Sequence, residues 1–114
     1  MSVASDLIRG NTETIILAQL LQGDSYGYLI NKAIYEKTSH KFELKEATLY
    51  TAFRRLEEAG CICSYWGDET TGARRRYYSI TDIGRETFRL RREEWDLAKN
   101  LISQLLNEEA EKDA

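Results

Sequence analysis

The chain has 114 residues, 42% of them apolar and 31% charged, a size and balance that suit one modest core. A net charge of −3 and a pI near 5.2 exclude a surface coated in positive charge. No apolar run approaches the ~18 residues of a membrane span, and MSVASDLIRG lacks the apolar core of a signal peptide, so a cytoplasmic protein with no membrane partner is expected.

Ile16, Leu17, Leu20 and Leu21 recur at helical spacing and predict a first helix ending near Gln22, where Gly23 and Asp24 supply a stop and a cap for the next helix. From Ser25 onward, Tyr26, Leu29, Ile30, Ala33 and Ile34 form a second apolar stripe that gives way to EKTSHK. The stretch KEATLYTAFRRLEEAG, residues 45–60, predicts a third helix. Leu49, Phe53 and Leu56 fall at i, i+4 and i+7 with Ala52 beside them, which leaves Tyr50, Thr51, Arg54 and Arg55 pointing away. Gly60 is the expected helix-ending glycine.

The composition then changes to CICSYWGDETTGARRRYYSIT, rich in Ile, Tyr, Trp and Thr around a glycine-containing turn. This predicts a β-hairpin with strands near 61–67 and 74–80, and Tyr65 and Trp66 are expected to pack it against the core. Cys61 and Cys63, one residue apart, would share a strand face as unpaired thiols, while His40 is the only histidine and no ligand spacing supports a metal site. Thr81 or Asp82 can cap a last helix with apolar positions at Leu97, Ala98, Leu101, Ile102, Leu105 and Leu106. Phe88, Trp95 and Ile102 repeat at seven-residue intervals. Such a helix, about 28 residues and ~40 Å long, is too long to bury its whole stripe against so small a body, so a partner chain is expected to cover it.

Charge is unevenly placed. Residues 1–44 carry four basic and five acidic groups, residues 45–92 ten and seven, and residues 93–114 two and seven. The middle segment is therefore +3 inside a chain of opposite overall sign. Its cations gather on the outward face of the third helix and at Arg74, Arg75 and Arg76 beside the hairpin turn. Alternation sends Arg74 and Arg76 to one side and Arg75 to the other, and guanidinium groups crowded this way call for an anion such as phosphate, unless Asp68 and Glu69 across the turn neutralise them.

Three helices, a hairpin and a further helix is the order of a winged helix-turn-helix, mainly α with a small β-hairpin, followed by a long C-terminal helix. The expected division is a DNA-binding unit over residues 1–80 and a C-terminal dimerisation helix over 81–114. In that architecture the third helix enters the major groove of double-stranded DNA. Thr48, Tyr50 and Thr51 can bond phosphates or base edges there, with Arg54 and Arg55 supplying charge.

Three segments, ILAQLLQGDSYGYLI, ATLYTAFRRLEEAGCI and GARRRYYSITDIG, make the chain resemble the PadR family of bacterial transcriptional regulators along nearly its whole length. The single C-terminal helix, SYWGDE before the wing and Trp95 in the last helix resemble the small multidrug-responsive repressors of that family. Many members have proline where this chain has Asp24 or Ser25, and where it has Thr51. The resemblance implies a homodimer, joined through the C-terminal and first helices, that binds an inverted-repeat operator and is released or reshaped by a small molecule. It assigns DNA contact to Thr48 and Tyr50, with Arg54 a weaker match, and to Arg74, Arg75 and Arg76 in the wing. It places Trp95 at a central pore, where an indole can stack on a planar aromatic or cationic guest and where Glu93, Glu94 and Asp96 would favour cations.

The competing reading is a winged-helix module for protein contacts, with no sequence-specific DNA binding and an acidic C-terminal docking segment. An enzyme is not expected: there is no phosphate loop, nucleophile elbow or metal constellation, and no cofactor is implied.

Overall fold

The computed structural model describes residues 3–67 and 74–107. The chain runs α1 (Val3–Ile8), a 3-10 turn (Arg9–Asn11), α2 (Thr12–Leu20), β1 (Ser25–Tyr26), α3 (Gly27–Lys37), α4 (Glu46–Glu58), β2 (Ile62–Trp66), β3 (Arg76–Ile80) and α5 (Asp82–Leu106). It is mostly helical with one antiparallel sheet in the order β1-β3-β2. This is a winged helix with a long C-terminal helix.

The core forms where the apolar stripes of α2, α3 and α4 converge on the sheet. Ile16, Leu17, Leu20, Ile30, Phe53 and Leu56 are essentially inaccessible to solvent, and Ile62, Tyr78 and Ile80 close the cluster from the sheet side. Phe53 and Tyr78 stack with ring centres 4.0 Å apart, so the central aromatic of α4 is seated directly on β3. Burial pushes the Tyr78 hydroxyl above the usual tyrosine range, while nearby Arg76 opposes the shift.

Two connections set the pose of α4. Between α3 and α4 the chain passes through left-handed conformations at Ser39 and His40. It is then clamped by Asn31, whose side chain donates to the Leu44 carbonyl and accepts from the Leu44 amide, both at 2.8 Å. At the far end Gly60 has φ +79, and the Gly60 and Cys61 amides bond back to Glu57 and Leu56, the reciprocal closure that a left-handed residue permits. Thr81 then caps α5: its hydroxyl accepts from the Gly84 amide at 3.0 Å and donates to the Gly60 carbonyl at 2.6 Å. The end of α4 and the start of α5 are thus fastened through one side chain.

Gly84 explains how closely α5 approaches. A side-chain carbon there would lie 2.1 Å from the Cys61 carbonyl oxygen, so only glycine lets the first turn of α5 sit on this backbone. Beyond that turn Phe88 packs on the core, and the helix then leaves the body. At 25 residues it is about 37 Å long.

Four expectations need revision. A short α1 precedes the first predicted helix, and Ser25–Tyr26 forms a third strand that pairs with Tyr78 and Tyr77. Tyr65 and Trp66 do not pack the wing on the core, since both lie near the outer end of β2 and are about half exposed. Cys61 is buried and Cys63 exposed, because Cys61 precedes β2 and turns inward with its thiol 3.6 Å from the Thr87 hydroxyl. Asp68, Glu69 and Gly72 at the wing turn lie outside the described residues.

Candidate nucleic-acid interface

Helix α4 presents two edges around its buried face, and the wing lies against only one of them. On that edge Tyr50 is 48% exposed and meets Phe53 edge to face, ring centres 5.4 Å apart. A groove of about 530 Å3 runs from Tyr50 past Tyr28 at the start of α3 to Trp66 and the three wing arginines. On the other edge Thr48, Thr51 and Arg55 border a separate cleft of about 550 Å3, shared with Arg9 and with Arg91 of α5. The structure therefore groups Tyr50 with Arg74, Arg75 and Arg76, and sets Thr48 and Thr51 apart from them. Arg54, one turn beyond Tyr50, is exposed.

The wing arginines are not equivalent. The Arg74 and Arg76 guanidinium groups lie over the Trp66 ring, 5.4 and 5.9 Å from its centre, whereas Arg75 lies 4.9 Å from the centre of Tyr26. Strand alternation accounts for the two sides. Arg76 is further engaged. It donates to the Ser64 hydroxyl at 2.8 Å, Ser64 donates to Glu57 at 2.6 Å, and Arg76 and Glu57 are 3.5 Å apart. Glu57 belongs to α4, so this chain ties the wing to the helix, and a charge already so paired is less available to a phosphate.

Glu57 thus turns to the wing instead of pairing along its own helix. Neither Arg54 nor Arg55 forms an ion pair among the described residues, which leaves two outward guanidiniums on α4 beside Tyr50 and Thr51. On the side of the wing that alternation gives to Arg75, Tyr65 stacks on Tyr77 at 5.6 Å and Tyr77 meets Tyr26 edge-on at 5.2 Å. Tyr65 donates a 2.6 Å hydrogen bond to Asp24, and this bond is the main reason its hydroxyl is held above the usual range. Sequence reading missed Tyr28, 69% exposed at the groove mouth. Its only signal was an aromatic residue off the apolar stripe of α3.

Trp95 lies on α5, 42% exposed and away from the groove. The acids around it are neutralised locally: Glu93 pairs with Arg89 at 2.6 Å, Asp96 with Arg92 at 3.3 Å, and Glu94 lies 3.9 Å from Arg91. Arg89 also holds Glu86, which is drawn below the ordinary carboxylate range by that hydrogen bond. These pairs offset, within one chain, part of the negative charge around Trp95. Among the described residues no cluster of three His, Cys, Asp or Glu side chains could hold a metal ion, and no helix is long and apolar enough to cross a membrane.

Residues 16–90 match the family described as "Transcriptional regulator PadR-like family". The chain belongs to that family. A transcriptional regulator from Clostridium thermocellum is 48% identical, with 93% of this chain and all of that one aligned at a TM-score of 0.85. A PadR family regulator from Eggerthella lenta is 30% identical over 92% of this chain and 89% of its own, with a TM-score of 0.80. A Lysinibacillus sphaericus protein described as uncharacterized protein X is 43% identical over 100 residues, 88% of this chain and 92% of its own. This PadR-like chain is accordingly a winged-helix DNA-binding regulator of transcription, in a family of regulators and not of enzymes.

Proposed function

We propose that the chain acts in the cytoplasm as a homodimeric repressor, with residues 1–80 reading DNA and residues 81–114 holding two copies together. The observation that carries this reading is the groove in which Tyr50 of α4 and the wing arginines converge. A half-exposed tyrosine and several guanidiniums at one concave face suit a phosphate backbone flanking a base-reading helix. Tyr50, Arg74, Arg75 and Arg54 are the contacts this geometry favours. Thr48 and Thr51 contact DNA only if the duplex also reaches the second edge of α4, and Arg76 serves mainly to hold the wing.

The dimer reading rests on the outer half of α5, where Trp95, Ala98, Leu101, Ile102 and Leu105 fall on one side of the helix. Trp95, Leu101, Ile102 and Leu105 are 42%, 48%, 53% and 81% exposed. A stripe of this kind is the seam of helix association. A two-fold dimer pairs each α5 with its mate and directs two α4 helices at an inverted repeat, one helical turn apart. Trp95 lies on this seam, so a planar aromatic effector stacked between the two indoles would change the angle between the α5 helices and relieve repression.

The test is selection of bound sequences from a random duplex library at moderate salt. Enrichment of an inverted repeat is expected. A folded dimer that enriches nothing would transfer the α4 face to a protein partner.

A further inference from the structure

The first residue of α3 is a glycine whose own backbone does not require one. Gly27 is buried and, unlike Gly23 and Gly60, is not in the left-handed region. Its missing side chain matters to Tyr50. A carbon built on Gly27 would lie 2.6 Å from the Tyr50 hydroxyl oxygen and 3.2 Å from its Cζ, with a Leu49 methyl at 3.5 Å. Tyr50 is therefore seated against the opening turn of α3 and in edge-to-face contact with Phe53, while nearly half its surface is exposed. A side chain held this way before DNA arrives loses little rotamer freedom on binding.

From this packing we infer that Gly27 is the positioning residue for Tyr50: it leaves the space that fixes the tyrosine in the groove beside Arg74 and Arg75. The atom in conflict is the free end of a movable side chain. An alanine at 27 therefore displaces Tyr50 and spares the core, in contrast to Gly84, where the conflict is with backbone. The inference rests on the DNA-reading role of α4 proposed above.

The test is a double-mutant cycle on the full chain, using a duplex selected by the wild-type protein as probe. Gly27→Ala is expected to weaken binding about tenfold while thermal unfolding shifts little. In a Tyr50→Phe background, which removes the atom nearest the new methyl, the same substitution is expected to have a clearly smaller effect. Equal losses in the two backgrounds, or none in either, would overturn the positioning role and leave DNA binding standing. Failure of the wild-type chain to bind any duplex would overturn both. Should Gly27→Ala not fold, folding restored by Tyr50→Phe with the affinity of Tyr50→Phe alone supports the inference. Continued unfolding assigns the glycine to the structure of α3 and overturns it.

Discussion

The body of the molecule and the outer half of α5 use the same kinds of side chain and leave them in opposite states. In the body, Ile16, Leu17, Leu20 and Leu56 are at most 2% exposed; on α5, Leu97, Leu101 and Leu105 are 60%, 48% and 81% exposed. Apolar content does not separate them. The difference is geometric: α2, α3, α4 and the sheet wrap one another, whereas α5 touches the body only through its first turns and then runs past it. The first arrangement supplies the fold's stability, and the second leaves an apolar surface that fits the association proposed above.

Phe53→Ala should break the body most. It removes a side chain stacked on Tyr78 and is expected to lower stability by about 3–5 kcal/mol, measured by urea denaturation at fixed protein concentration. Leu101→Glu combined with Leu105→Glu should do the converse. The body is expected to keep its helical signal, while self-association weakens about 100-fold or more, seen by sedimentation equilibrium. If that double variant unfolds the body as Phe53→Ala does, the contrast between the two regions fails. Smaller is Arg75→Ala, expected to weaken binding of the selected duplex about tenfold and to lower the salt slope by about 1, with unfolding unchanged. Smallest is Thr81→Ala, about 1 kcal/mol in denaturation, because it removes the cap that joins the two regions.

The body was legible because helical periodicity is a strong local signal: the stripe Leu49-Phe53-Leu56 specifies which side of α4 is buried wherever the helix sits. Thr81 and Gly60 were legible as cap and stop for the same local reason. The third strand was not, since two residues, Ser25 and Tyr26, are too few to show alternation and are strand only through pairing with β3. Tyr65 and Trp66 misled because aromatic residues in a short strand read as core, and only the length of the hairpin shows that they lie beyond it. For the site, the wheel of α4 already separates Tyr50 from Thr48. Which of them faces the arginines depends on where the wing folds, and that is a tertiary fact. Glu57 illustrates it: arginines stand close by on its own helix, and its partner is in another element 19 positions away in sequence.

The fastening of α4 to α5 through Thr81 makes the long helix a lever with its fulcrum at the capping residue. With an arm of about 37 Å, a tilt of about 5° at the joint swings the far end by roughly 3 Å. Read in reverse, a guest a few ångströms thick wedged between the arms of the proposed dimer would swivel each reading head by a comparable few degrees. Two heads that must enter the same face of a duplex tolerate little such rotation. In the proposed dimer, the distance between half-sites would then be set by an angle at Thr81, away from the α4 residues proposed to contact DNA.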